Sequence, residues 1–143
     1  MMNAKLKLAR IWRSYRSLPG WVQLWVGLVL VPANALPFLF LQTWSGRAGA
    51  FAALVVVATN LPIMWFAAGM SRAMSLPHLL AWIPLEFALL ARLSGMVGPP
   101  SMVEPETALA MLLIIVNGVS LGFDGLDSWR WLKGERDVPG ART

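Results

Sequence analysis

The chain consists of long apolar runs separated by short breaks that contain polar residues, proline and glycine. The four runs cover approximately residues 21–41, 48–68, 76–93 and 107–123. An α-helix rises about 1.5 Å per residue, so runs of this length form helices of roughly 25–31 Å, enough to cross the hydrocarbon layer of a membrane. The pattern predicts an all-α integral membrane protein. Because the connections are short, we expect a four-transmembrane-helix bundle of antiparallel, up-down topology.

The first 20 residues follow a different pattern. Leu8, Ile11, Trp12 and Tyr15 lie at helical spacing on one face, among lysines and arginines. This pattern predicts a short amphipathic helix in the membrane interface, with its cations close to lipid phosphates. We interpret residues 1–20 as an anchor that sets orientation, with a docking arm for lipid or for a partner as the alternative.

Two further units follow this basic segment. Residues 21–126 form the predicted membrane domain, and residues 127–143 form an interfacial tail on the cytoplasmic side. Asp124 and Asp127 are expected to end the fourth span and to cap a following helix. The first part of the tail could therefore form a second interfacial amphipathic helix.

The composition is typical of a membrane protein. Hydrophobic residues make up 57% of the chain and charged residues only 13%, whereas soluble domains carry about 25% charged residues. There is no cysteine, which excludes a disulfide framework, a thiolate metal site and a cysteine nucleophile. The net charge of +5 lies at the ends of the apolar runs, where it sets membrane topology, so we do not expect nucleic-acid binding.

The distribution of lysine and arginine predicts the orientation. Ten of these residues fall on the side that carries both ends of the sequence, and only Arg47 and Arg92 fall on the other side. The positive-inside rule then places both termini in the cytoplasm, in a bacterial-type inner membrane. Aromatic residues cluster on the same side as expected interfacial anchors: Trp12, Tyr15, Trp21, Trp25, Trp129 and Trp131.

A cleaved signal peptide is the competing interpretation of the N-terminal half. A basic start precedes an apolar run, and Ala48-Gly49-Ala50 fits a small-residue cleavage pattern. The run of residues 21–41 is too long for a signal-peptide core of about 7–15 residues. We therefore expect it to be retained as the first span.

Each predicted span carries one strongly polar side chain close to its centre. These residues are Asn34, Asn60, Glu86 and Asn117. All four lie within about 5 Å of the midplane when depth is counted along a helix. Because polar groups that face lipid are unfavourable, we expect them to turn inward and to form one central polar cluster.

Two interpretations of the midplane cluster remain open. In the structural interpretation the amides and Glu86 fix the register of the helices through hydrogen bonds. In the functional interpretation Glu86 binds a proton or a cation and couples it to movement of a substrate. A third alternative pairs Glu86 with a separate subunit. A bundle of four short helices leaves little room for a pore within one subunit, so transport would need an oligomer.

Other chemistry is sparsely represented in the sequence. His78 is the only histidine. We expect an ordinary histidine at the membrane interface. A ligand for a haem-like group is the weaker alternative. No spacing typical of a metal site occurs, and His78 lacks a credible nucleophile for a catalytic triad. We therefore expect no metal, no cofactor and no enzymatic activity.

A small-residue motif suggests close helix packing. Gly118 and Gly122 lie one turn apart in the fourth run, which would allow another helix to approach closely. We therefore expect a non-catalytic structural, accessory or assembly component of a larger membrane complex. Its partners would be the lipid bilayer and another membrane protein, or a second copy in a homo-oligomer. The alternative is a small oligomeric proton- or cation-coupled transporter or channel that uses Glu86.

Overall fold

The computed structural model describes residues 3–141, and this part of the chain is helical without any strand. Its α-helices are α1 (Ala4–Arg16), α2 (Gly20–Leu24), α3 (Val31–Ala35), α4 (Trp44–Ala67), α5 (Ser75–Leu93) and α6 (Glu104–Leu132). Four helical segments are long and apolar enough to cross a membrane: Gly20–Leu39, Trp44–Ala67, Arg72–Leu93 and Glu104–Leu132. The prediction of four apolar helices of spanning length is confirmed.

The first apolar segment, Gly20–Leu39, changes helical type along its length. A π-helical stretch, Trp25–Leu30, joins α2 to α3, and a 3₁₀ stretch, Leu36–Leu39, follows α3. Pro32 and Pro37 each lie in the first turn of a new stretch, where the missing N–H of proline is not needed. The two prolines therefore begin new stretches and divide the segment into short helical pieces.

Helix α4 is delimited by local side-chain and backbone features. The Thr43 hydroxyl accepts a hydrogen bond from the Gly46 N–H at 3.0 Å and so caps the first turn. At the other end Ala68 adopts a left-handed conformation with φ 51°, which ends the helix as an αL cap does. Pro62 lies inside α4 and Pro84 lies inside α5, and both helices continue through them.

Helix α6 is longer than the sequence suggested. It continues without a break to Leu132, so the expected end near residue 123 and the separate tail helix are wrong. The two aspartates that were expected to cap a helix bind other partners, because Asp124 contacts His78 and Asp127 contacts Arg72. Neither carboxylate therefore competes for backbone N–H groups, and the helix is not interrupted.

Helices α5 and α6 pack along their whole length. Near the start of α5, the Ser75 hydroxyl lies 2.7 Å from the Ser128 hydroxyl, which is near the end of α6. Near the end of α5, Arg92 contacts Glu106 at the start of α6. Between these contacts lies a core of buried aliphatic and aromatic side chains: Ala52, Val56, Trp82, Leu85, Leu89, Leu109, Ala110 and Leu113.

Helix α1 is held against the connection between α4 and α5. The buried Ser14 hydroxyl accepts a hydrogen bond from the Met70 N–H at 2.8 Å. A Cβ on Gly69 would collide with Val138 and Ser14, so the tail also reaches this point. The contacts bring α1, the α4–α5 connection and the C-terminal tail together at one end of the molecule.

Candidate functional site in the polar interior

A buried ion pair joins the ends of α5 and α6. Arg92 and Glu106 are 2% and 4% exposed, and the Arg92 Nε lies 3.0 Å from the Glu106 Oε1. The Arg92 Nη2 donates to Glu106 Oε2 at 3.2 Å, which makes the contact bidentate. Ser45 at the start of α4 adds its N–H and its hydroxyl to Oε1, at 3.1 and 3.0 Å.

The remaining donors of Arg92 hold the loop between α5 and α6. They bind the carbonyl oxygens of Val97, Pro99 and Ser101. Every N–H direction of the guanidinium is thereby used, as a buried arginine requires. This contact set fixes three helix ends and one loop, so its role is structural.

Sequence reasoning missed this ion pair. In the sequence, Arg92 counts only as a charge that sets topology, and Glu106 directly precedes the fourth apolar run. The available signal was the opposite charge of two residues at the facing ends of consecutive apolar runs. The loop between them contains glycine and proline, which lets the chain reverse direction and brings the two charged residues together.

Two of the four midplane residues form a direct pair. The Asn34 Nδ2 donates to the Asn117 Oδ1 at 2.7 Å, and the Asn117 Nδ2 donates to the Asn34 Oδ1 at 3.2 Å. Asn117 is completely buried. This reciprocal amide pair joins the first apolar segment to α6, and its geometry suits the fixing of helix register.

Asn60 belongs to a different group, centred on His78. The Asn60 Nδ2 lies 2.8 Å from the His78 Nε2, and the His78 Nδ1 lies 3.0 Å from the Asp124 Oδ2. With the Asn60 amide in this orientation, Nε2 accepts and Nδ1 carries the proton that is donated to Asp124. The resulting chain connects α4, α5 and α6.

The surroundings of His78 leave no ring nitrogen for a ligand. Both nitrogens are engaged by side chains, and the ring stacks on Trp82 with centroids 4.2 Å apart. The expectation of an ordinary interfacial histidine also fails to describe it, because the side chain is only 16% exposed. Its contacts make His78 a connector between three helices.

Glu86 is the midplane residue without a hydrogen-bonding partner in the described chain. Its Oε1 is buried and accepts no hydrogen bond from residues 3–141. The Trp82 Nε1 and the Asn60 Oδ1 are buried and unpartnered in the same sense. Trp82 and Glu86 lie one turn apart on α5, where side chains at i and i+4 share a face. The interior therefore contains an unsatisfied donor and an unsatisfied acceptor at neighbouring positions.

The four midplane residues thus occupy three environments. Asn34 and Asn117 bind each other, Asn60 binds His78, and Glu86 has an unsatisfied oxygen. The hydrogen bonds of the described chain do not join them into one cluster. Depth along the membrane normal was the basis of the prediction, and it does not specify which way a side chain points around its helix.

The aromatic residues expected at the interface differ in their contacts. Trp12, Trp21 and Trp129 are exposed, at 64%, 58% and 53%. The Tyr15 hydroxyl donates to the Gln23 carbonyl at 2.6 Å, so it fastens α1 to the first apolar segment. The Trp25 Nε1 donates to the Ser120 hydroxyl at 3.0 Å, and Trp131 stacks under the Arg136 guanidinium at 4.6 Å.

Among the described residues, no three His, Cys, Asp or Glu side chains are grouped as a metal site would require. Within this part of the chain the polar interior offers hydrogen bonds, the ion pair of Arg92 with Glu106, and the unpaired acid Glu86.

No protein-family model matches the sequence, and no protein of curated function and no solved structure shows a significant match.

Proposed function

We propose that the protein is a non-catalytic, multi-pass component of a bacterial-type inner membrane that assembles with another membrane protein or with itself. In this arrangement the four spans alternate in direction and both termini are cytoplasmic. The pairing of the start of α5 with the end of α6, and of Arg92 with Glu106, supports alternating directions. The excess of basic residues on one side supports the orientation.

The observation that carries the proposal is the open glycine face of α6. A Cβ added at Gly118, Gly122 or Gly125 would meet no atom of residues 3–141 within 4 Å, although glycine in a helix interior costs about 1 kcal/mol relative to alanine. Gly49 shows the contrast, since its Cβ would lie 2.9 Å from Leu113 and from Pro37. The space at Gly49 is used by the fold, whereas the space along α6 is free for the close approach of a helix from another chain.

The proposal is tested by gentle purification from native membranes, with Gly122→Leu compared against Ala108→Leu. Both changes add the same side chain at exposed positions of α6, but only the first fills the glycine face. We expect wild type and the Ala108 variant to purify with a partner chain or as an oligomer, and the Gly122 variant to purify alone. A wild-type protein that is a clean monomer without a partner contradicts the assembly role.

A second candidate function is a small oligomeric, proton- or cation-coupled transporter that uses Glu86. The Glu86 Oε1, which is buried without a hydrogen-bonding partner in residues 3–141, favours it, because ionisable residues inside a membrane commonly mark ion or proton pathways. The test is proton-linked flux in liposomes that contain wild-type protein, Glu86→Gln or Glu104→Gln. Loss of flux only in the Glu86 variant supports transport, and absence of flux in the wild type excludes it.

A further inference from the structure

Two neighbouring concavities lie along the contact between α1 and the second half of α4. The first is a cavity of about 60 Å³ lined by Arg10, Arg13, Ala67, Ala68, Pro139, Gly140 and Ala141. The second is an open apolar groove of about 510 Å³ lined by Leu8, Ile11, Leu61, Pro62, Met64, Trp65 and Phe66. Their linings adjoin at consecutive residues of both helices, Arg10 with Ile11 and Phe66 with Ala67. We call the first the basic cavity and the second the apolar groove.

The basic cavity brings together two cations that the chain leaves without partners. Within residues 3–141, neither Arg10 nor Arg13 makes a side-chain hydrogen bond or an ion pair. Three other basic side chains near α1 or its neighbours are engaged: Arg16 binds Gln23, Arg72 binds Asp127, and Lys7 lies 4.9 Å from the centroid of the Trp65 ring. Two arginines in the lining of one concavity favour an anion such as a phosphodiester, which accepts paired N–H bonds.

The apolar groove supplies the second half of a lipid-shaped site. Its residues are apolar and most of them are exposed, with Leu8 at 58%, Leu61 at 54% and Phe66 at 83%. The groove belongs to α4, which is one of the helices long and apolar enough to span a membrane, so acyl chains are the available occupant. Lys7 over Trp65 places a further positive charge at the groove, which matches an anionic headgroup rather than a neutral one.

We propose that the basic cavity and the apolar groove together bind one anionic phospholipid, with its phosphate at Arg10 and Arg13 and an acyl chain against Ile11, Leu61 and Phe66. Helix α1 is suited to hold such a ligand because it is fixed from both sides. Ser14 receives the Met70 N–H, and Tyr15 donates to Gln23. The site therefore exists on a helix whose position is set by the fold, whereas a loose basic arm would bind anionic lipid only diffusely.

The test is native mass spectrometry of the full chain, released from mixed micelles that contain equal amounts of phosphatidylglycerol and phosphatidylcholine. We expect one retained phosphatidylglycerol. The double variant Arg10→Gln, Arg13→Gln should lower its retention about tenfold, equivalent to about 1.4 kcal/mol. The matched control Lys5→Gln, Arg16→Gln removes the same charge from the same helix outside the basic cavity and should retain the lipid within about twofold.

The apolar groove is tested separately with Ile11→Trp, which fills it without changing charge, and which should also reduce retention. Thermal unfolding in detergent verifies that each variant remains folded. Equal losses in the two double variants would show diffuse electrostatic adsorption and overturn the proposal. It is also overturned if the wild type shows no preference for phosphatidylglycerol, if Ile11→Trp has no effect, or if soluble glycerol phosphate displaces the lipid.

Discussion

Arg92 on α5 and Glu106 on α6 form a bidentate ion pair that is almost completely buried, with Nε and Oε1 3.0 Å apart. Removing one member leaves the other charge without compensation in a place that water does not reach. We expect Glu106→Gln or Arg92→Met to lower the free energy of unfolding by about 3–5 kcal/mol. Thermal unfolding in detergent, followed by circular dichroism, measures the loss.

The Arg72–Asp127 ion pair is the matched control for that prediction. Its side chains are 29% and 44% exposed, with 3.3 Å between Arg72 Nε and Asp127 Oδ1. Exposed pairs contribute about 0–1 kcal/mol, so Asp127→Asn should have a small effect. Equal destabilisation by the two substitutions would contradict the central position assigned to Glu106.

The reciprocal Asn34–Asn117 pair predicts energetic coupling between the first apolar segment and α6. In a double-mutant cycle with alanine at both positions, we expect a coupling free energy of about 0.6–2 kcal/mol. A second cycle between Asn60 and Asn117 should be additive, because the structure gives these residues no common hydrogen bond. Coupling of similar size in the second cycle would restore the single midplane cluster expected from the sequence.

The contacts of His78 predict a single tautomer. The ring should carry its proton on Nδ1 and accept at Nε2, since it donates to Asp124 and accepts from Asn60. Nitrogen-15 NMR of the labelled side chain in detergent distinguishes the two nitrogens. Asp124→Leu should abolish this preference and cost about 1–3 kcal/mol, because it leaves a buried donor unpaired. Asp127→Leu serves as the control, and a ring that is unchanged by Asp124→Leu would refute the assignment.

The orientation is tested with reporter fusions. A periplasm-active enzyme fused after Thr143 should be silent, and the same enzyme inserted between residues 95 and 101 should be active, because the positive-inside rule places the basic ends in the cytoplasm. The buried contact of Arg92 sharpens this expectation, since its charge is neutralised by Glu106 and, among residues 3–141, only Arg47 remains as a free cation on the side expected to be periplasmic. Activity after Thr143 would reverse the assigned topology.

The sequence predicted the helices well because length and hydropathy decide whether a segment can cross a membrane. The ends of the fourth helix were harder to predict from the sequence. Asp124 was expected to end the fourth span, but its carboxylate is hydrogen-bonded by His78 of α5, and Glu106 near the start of the same helix is neutralised by Arg92 of α5. A helix can include such residues when tertiary contacts satisfy them, and the linear pattern does not contain those contacts.

The partners of the polar residues were also beyond the sequence pattern. Counting residues from the centre of a span gives height in the membrane, and Asn34, Asn60 and Asn117 do have similar counts. The direction of a side chain depends on rotation about the helix axis. In the first apolar segment that rotation is altered by the π-helical stretch Trp25–Leu30, which precedes Asn34. The count of residues along a span does not contain this rotation, so the pairing of the polar side chains was not predictable.

The buried pair of Arg92 and Glu106 also has a consequence for biosynthesis. Residue 92 leaves the ribosome before residue 106, so α5 is complete while its arginine still lacks the carboxylate. A lone arginine in a membrane segment costs several kcal/mol, whereas a helical hairpin that already contains both charges does not carry that cost. The last two helices are therefore expected to leave the translocation machinery together, as one unit, after the first two are in place.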